Sequence, residues 1–267
     1  MLEEETKKWY HRIDVDNFCL VSSLVLGVVV GLSVPGNSDL SPGYRPISSM
    51  IGWTYVIAWT ISFYPQVILN YQRRCTIGLS SDMILYDCVG YIALSIYSVG
   101  MYADPYIRSE YRDTHDDNNP NVAVNDVFFA THGILLTIVP LVQMAYYDGR
   151  KQTPTRLCLY NLSIIMFVIL GYLAIILSGL TDSSIFTMYY WVYSLAFVKL
   201  GVTILKYIPQ IYLNFLRQST EGWNITQILL DLMGGLFSAL QLVLDAADMN
   251  EWNGVVGNVQ KLLLGAL

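Results

Sequence analysis

The sequence contains few charged residues. Aspartate, glutamate, lysine and arginine make up 13% of the 267 residues, whereas 54% are hydrophobic. A soluble domain carries about a quarter charged residues, so this composition argues against a protein surrounded by water. The net charge of −6 also lacks the positive excess of a nucleic-acid-binding surface. The composition therefore favours a membrane protein and excludes nucleic acid as an expected partner.

Cysteine clusters and catalytic clusters are also lacking. The four cysteines are scattered and none forms a CxxC pair, so we expect neither a metal site nor a disulfide framework. No nucleophile with an adjacent base stands out. We therefore expect a protein that is not an enzyme and needs no cofactor.

Long apolar runs dominate the chain instead. A helix that crosses the hydrocarbon core needs about 20 mostly apolar residues. Six runs reach this length: 47–69, 83–102, 126–147, 157–177, 186–207 and 225–244. A seventh run begins near Val255 and ends at Leu267. It has about half the required length, so we expect the last spanning helix to be truncated.

A shorter apolar run, 18–34, lies near the start of the chain. Basic residues precede it, and Gly31 and Ser33 stand where small residues precede a signal-peptidase cut. The segment 1–46 is therefore predicted to hold a signal peptide or signal anchor. An additional spanning helix is the alternative.

The loops between the runs alternate in charge. Acidic residues fill the loop between the second and third runs and the one after the sixth. Because positive loops stay on the cytosolic side, the basic loops are predicted to be cytosolic and the acidic loops lumenal or extracellular. The basic residues lie after the first, third and fifth runs: Arg73, Arg74, Arg150, Lys151, Arg156 and Arg217.

The chain contains an internal repeat. The stretch that begins at Pro65 aligns without a gap with the stretch that begins at Pro209. Both copies enter the membrane in the same direction, which predicts two parallel three-helix repeats, 47–147 and 186–267, joined by a linker helix within 148–185. Parallel repeats are a known plan for transporters, with substrate held near the midplane. Identical pairs include Asn70/Asn214, Arg73/Arg217, Thr76/Thr220, Gly78/Gly222 and Asp87/Asp231.

A proline followed by glutamine interrupts one predicted helix in each repeat. Proline removes a backbone hydrogen bond and bends a helix. A static bend for packing is one interpretation, but the symmetry between the repeats favours a gating hinge. The hinge residues would be Pro65, Gln66, Pro209 and Gln210.

Polar side chains recur at spacings of three or four residues within the predicted spans, hence on one face of each helix. Charged groups inside a membrane are costly and usually face a cavity. These faces predict a wet cavity with ammonium, carboxylate and amide groups, which suits a zwitterionic substrate. The candidate substrate contacts are Gln66, Asn70, Asp87, Lys199, Lys206, Asn214, Gln227 and Asp231.

Asp231 is the strongest candidate for proton binding, because burial disfavours the charged form of a carboxylate. An ion pair with Lys206 that has no role in transport is the alternative. Asp87 is a weaker candidate of the same kind. Asp126, at the start of the third run, is interpreted either as a helix cap or as a lumenal proton acceptor.

Several segments of the chain, including both proline–glutamine motifs, resemble the cystinosin family of PQ-loop transporters. The resemblance covers 51–244 and is carried by ISFYPQVILN, VNDVFF, VKLGVTILKYIPQIYLNF and STEGWNITQILLDLMGG. It implies a seven-helix all-α fold, similar to SWEET sugar carriers and KDEL receptors. It also implies proton-coupled export of cystine across a lysosomal or vacuolar membrane. Asp231 and Asp126 would be the proton-linked carboxylates.

Two positions depart from the resembled family, which has asparagine where this chain has Asp87 and Gln227. An added carboxylate would favour a more cationic substrate or change the proton coupling. A PQ-loop carrier of another amino acid or of a sugar therefore remains an alternative. So does a cargo receptor of the KDEL type. The expected partners are cystine, protons and the lipid bilayer.

Overall fold

The computed structural model describes residues 2–250 except 116, 118, 121, 123, 149–151 and 181–182. The predicted last run from Val255 and the basic residues Arg150 and Lys151 lie outside the described residues. The described part of the chain forms eight helices and no strand: α1 (Leu2–Ser33), α2 (Arg45–Arg73), α3 (Ser81–Ala103), α4 (Pro105–Thr114), α5 (Val124–Tyr147), α6 (Arg156–Ser178), α7 (Met188–Arg217) and α8 (Ile225–Met249).

Five of the described helices, α3 and α5 to α8, are long and apolar enough to cross a membrane. They contain five of the six predicted runs, and the prediction of an all-α membrane protein is confirmed. The first run, 47–69, lies in α2, a helix of 29 residues that also buries Ser62, Gln66 and Asn70. The run 186–207 overlaps α7, which continues through Pro209 to Arg217 and so contains Gln210 and Asn214, as their spacing from Lys206 predicted.

The loop between α3 and α5 contains a short helix that the sequence analysis did not predict. Asp104 Oδ1 accepts hydrogen bonds from Tyr106 N at 2.9 Å and Ile107 N at 3.1 Å, so an aspartate N-cap starts α4. Glu110 Oε2 accepts from Tyr189 N at 2.7 Å. This bond ties α4 to the first turn of α7.

Contacts divide the chain into two compact units. The first holds the residues up to Gln72 and those from Trp223 onward, hence α1, nearly all of α2, and α8. The second holds Arg73–Gly222, hence α3 to α7. Each unit therefore takes helices from both sequence repeats. The repeat boundaries themselves stay a prediction.

In the second unit, α3 packs against both α5 and α7. Two buried carboxylates bind the loops that lead into α3 and α6. Asp82 Oδ1 accepts from Thr155 N at 2.8 Å, where α6 begins. Asp148 Oδ2 accepts from Thr76 N at 2.8 Å. The second bond satisfies the N–H group of Thr76, which would otherwise be buried without a partner.

In the first unit, α1 approaches α2 closely at two glycines. A Cβ added to Gly31 would lie 2.5 Å from Met50 Cα, and one added to Gly27 would overlap Thr54 Cα. Glycines four residues apart are the spacing by which membrane helices bring their backbones together. The apolar run 18–33 is thus part of a continuous helix that packs along α2.

We expect α1 to remain in the mature protein and to stabilise α2. Gly31→Ala should lower the free energy of unfolding by about 1–3 kcal/mol, because the added methyl group meets the backbone of α2. Gly171→Ala is the matched control, since nothing lies within 4 Å of a Cβ at Gly171. Thermal unfolding in detergent measures both. Equal behaviour of the two variants, or an intact mass that lacks α1, would contradict this role.

Candidate functional site

The prolines of the repeated motif lie inside continuous helices. Pro65 lies within α2 and Pro209 within α7, and neither helix ends at its proline. A third proline, Pro140, lies inside α5 and was not singled out by the sequence analysis. Each of these residues removes one backbone donor from its helix. The role of Pro65 and Pro209 as hinges stays a prediction.

The glutamine after each repeated proline binds the start of a helix from the other repeat. In the first unit, Asn224 N donates to Gln66 Oε1 at 2.8 Å, and Asn224 is the N-cap of α8. In the second unit, Ser80 N donates to Gln210 Oε1 at 2.7 Å, and Ser80 is the N-cap of α3. The two glutamines therefore make equivalent bonds in different units.

The amide nitrogens of the same glutamines continue this pattern. Gln66 Nε2 donates to Asn70 Oδ1 at 2.8 Å. Gln210 Nε2 donates to Asn214 Oδ1 at 3.0 Å and to Gly78 O at 2.9 Å. Gln66 is 3% exposed and Gln210 is fully buried. The predicted substrate contacts Asn70 and Asn214 are thus bonded to the predicted hinge residues.

Two glycines allow the loops that follow the repeated motif to meet inside the second unit. Gly78 and Gly222 have φ values of 108° and 101°, which only glycine adopts readily. A Cβ on Gly222 would overlap Ile77 O, and one on Gly78 would overlap Glu221 O. Arg73 reinforces this contact through a 3.1 Å ion pair with Glu221. Identical glycines in the two copies therefore serve one loop–loop contact.

A buried ion pair joins α7 to α3 in the second unit. Lys206 Nζ lies 3.0 Å from Asp87 Oδ1, and the two side chains are 7% and 6% exposed. The sequence alone suggested Asp231 as a partner of Lys206, whereas the structure places Asp87 beside this lysine. The two predicted substrate contacts, Lys206 and Asp87, are therefore brought together. Each charge offsets part of the other's desolvation cost.

The second lysine of α7 meets an aromatic ring of α3. Lys199 Nζ lies 3.7 Å from the centroid of the Tyr91 ring, which is close enough for a cation–π interaction. Tyr91 follows Asp87 by four residues, so the two α3 side chains lie on one face of the helix. Tyr91 was not among the predicted substrate contacts, although its spacing from Asp87 predicted that it shares this polar face.

A second polar face lies on α8, in the first unit. Within the described part of the chain, Gln227 Oε1 and Ser238 Oγ are buried and have no hydrogen-bond partner. Asp231, between them, is partly exposed, and its backbone oxygen accepts from Trp59 Nε1 at 3.2 Å. Unpartnered buried polar atoms need an explanation such as a bound ligand or water. The structure therefore marks this face of α8 as a candidate binding surface.

Comparison with known proteins decides the family. A family model of the PQ loop repeat matches residues 47–107 and 191–250. A cystinosin homolog of Dictyostelium discoideum is 39% identical over 81% of this chain and 74% of its own length. The chain belongs to the cystinosin family of PQ-loop proteins. A cystinosin homolog of Arabidopsis thaliana is 38% identical over 82% of this chain and 79% of its own.

The chain spans only part of some members of the cystinosin family. It covers 58% of the cystinosin of Bos taurus, at 36% identity. A protein named cystine transporter in Saccharomyces cerevisiae is 26% identical over 74% of this chain. Together with its apolar helices, the family membership shows a multi-pass membrane protein.

Asp126 is the one predicted site residue outside the two matched PQ-loop segments. It is exposed and is the third residue of α5, which begins at Val124. It therefore does not cap the helix, although its charge interacts favourably with the positive helix end. Its role as a proton acceptor stays a prediction.

Proposed function

We propose that this protein carries cystine across a lysosomal or vacuolar membrane, from the acidic lumen to the cytosol, together with protons. The observation that carries the proposal is the set of charges in the second unit, where Lys199, Lys206 and Asp87 are all buried within α3 and α7 and Lys206 pairs with Asp87. Ionisable groups at such positions are rare and usually mark a substrate or ion path. The names of the relatives, cystinosin and cystine transporter, support the choice of substrate.

The chemistry of these groups matches both ends of an amino acid. The ammonium groups of Lys199 and Lys206 bind carboxylates. In the second unit, the carboxylate of Asp87 accepts hydrogen bonds from an amino group of the substrate. In the first unit, Asp231 and Gln227 offer oxygen acceptors of the same kind. Gln227 Oε1 is suited to this role because, among the described residues, it has no partner. Asn70 and Asn214 add amide contacts.

Proton coupling in this proposal centres on Asp231. Its partial exposure allows exchange with water, and its place in a spanning helix disfavours the charged form. A proton taken up from the acidic side neutralises Asp231 before the carrier turns, and release on the cytosolic side restores the charge. Asp126, exposed at the start of α5, receives protons first. Asp87, paired with Lys206 at 3.0 Å, is the third carboxylate of this set.

The hinge residues supply the change of access. Pro65 and Pro209 weaken α2 and α7 at equivalent places, and Gln66 and Gln210 fasten these places to Asn224 and Ser80. We propose that these bonds are released when the substrate site opens towards the cytosol.

Asp231→Asn should abolish the inward proton current that cystine evokes, because the amide cannot carry a proton. The measurement is electrophysiology on protein targeted to the plasma membrane, with cystine in acidic external medium. Asp113→Asn is the control: Asp113 is an exposed carboxylate on α4, and its removal should leave the current unchanged. A normal current in Asp231→Asn would remove Asp231 from the mechanism. A parent chain that takes up no cystine would refute the proposed function.

A carrier of cationic amino acids is the second candidate, and Asp87 is the observation that favours it. This carboxylate lies 3.0 Å from Lys206 and offsets its positive charge. Competition separates the two candidates: lysine or arginine in excess should block uptake of labelled cystine only if the site accepts cations.

A further inference from the structure

The position of Lys199 is set by α3. The lysine is 7% exposed, and its stem runs across Gly90: a Cβ added there would lie 3.1 Å from Lys199 Cδ and 3.5 Å from Nζ. Beyond Gly90 the ammonium reaches the ring of Tyr91, 3.7 Å from its centroid. Two successive residues of α3 therefore determine where this charge lies.

The ring of Tyr91 is itself held by α5. A Cβ added to Gly133 would overlap the ring and lie 3.0 Å from Tyr91 Cγ. Phe129, four residues earlier on α5, meets the ring edge-on with centroids 6.1 Å apart. Tyr91 is buried and is thus fixed between the lysine and the backbone of α5.

An aromatic face holds an ammonium group in a different way from a carboxylate. The ring quadrupole attracts the cation, but it carries no charge and leaves the positive charge in place. Asp87, in contrast, brings a full negative charge to Lys206. Tyr91 can therefore orient Lys199 and still leave it attractive to an incoming anion.

We propose that Tyr91 is a positioning residue that holds Lys199 ready for one carboxylate of the substrate, which makes it a determinant of substrate affinity. The proposal rests on the proposed function for the identity of the substrate. It needs the π face of the side chain and not the hydroxyl group. It also needs the space that Gly133 provides.

The first test compares the KM for cystine among variants of Tyr91. Tyr91→Leu should raise KM about tenfold with kcat within about twofold, because the cation–π interaction is lost. Tyr91→Phe should stay within about twofold of the parent. Gly133→Ala displaces the ring and should raise KM in the same direction, whereas Gly171→Ala, with open space around it, should not. A Tyr91→Phe variant as impaired as Tyr91→Leu would overturn the proposal.

A double-mutant cycle separates positioning from packing. In a Lys199→Met background, Tyr91→Leu should change KM no further, whereas a packing defect would persist there. The same four proteins are compared by thermal unfolding in detergent, which requires no transport. The sum of the Tm shifts of the two single variants should exceed the shift of the double variant, because each single substitution already removes the same contact. Additive shifts would overturn the contact between Tyr91 and Lys199 even if the parent chain takes up no cystine.

Discussion

Lys206→Met is expected to lower the free energy of unfolding by about 3–5 kcal/mol, among the largest effects of any single substitution in the second unit. The reason is the carboxylate that it leaves behind. Asp87 is buried and would lose the ammonium group 3.0 Å away. Thermal or denaturant unfolding of purified protein in detergent measures the loss.

The double variant Asp87→Asn/Lys206→Met tests that explanation. With both charges of this pair gone, neither position holds a buried charge that has lost its partner, so most of the lost stability should return. Stability that stays as low as in Lys206→Met alone would show that Lys206 acts through its packing and not through the pair with Asp87. Cystine uptake by the same proteins then reports separately on the role of Lys206 in transport.

Gln210→Glu is expected to cost more than about 3 kcal/mol and to abolish transport. The change keeps an oxygen acceptor for Ser80 N but removes the donor that serves Gly78 O and Asn214 Oδ1. It also brings a negative charge to a fully buried position. Thermal unfolding measures the cost, and labelled-cystine uptake measures transport.

The equivalent substitution in the first unit, Gln66→Glu, provides a second loss of stability to compare with that of Gln210→Glu. Gln66→Glu loses the bond to Asn70 and should be destabilising in the same direction. Gln72→Glu, at an exposed position at the end of α2, is the control and should be neutral. If Gln210→Glu unfolds like Gln72→Glu, the bonds of the repeated motif are not what stabilises the ends of α3 and α7.

Hydropathy predicted most of the spanning helices, because each one contains an apolar run long enough to be recognised in the sequence. It did not extend through Gln210 and Asn214, which add no apolar signal; their spacing from Lys206 placed them on α7. It missed α4, because a helix of 10 residues that is largely polar has no apolar run. A cap at Asp104 followed by proline is the signal that could have found it.

The candidate site shows a similar limit. Periodicity predicted that Lys199 and Lys206 share a face of α7, which depends only on residues of one helix. Their partners depend on how α3 is rotated and how far it is shifted along α7, and no local pattern encodes either. For that reason Asp87 could be named as a candidate but not as the partner of Lys206, and Tyr91 was not named as a contact of Lys199.

The exchange of bonds between Gln66 and Asn224, and between Gln210 and Ser80, bears on how such a chain arose. The glutamine of each repeat bonds to the start of a helix in the other repeat, and not to one in its own. An ancestor that consisted of one repeat could therefore complete these bonds only by associating with another copy of itself. Duplication and fusion of such a half would turn an encounter that depends on concentration into a permanent one. They would also leave the two copies of each residue free to diverge, as Ser80 and Asn224 have done.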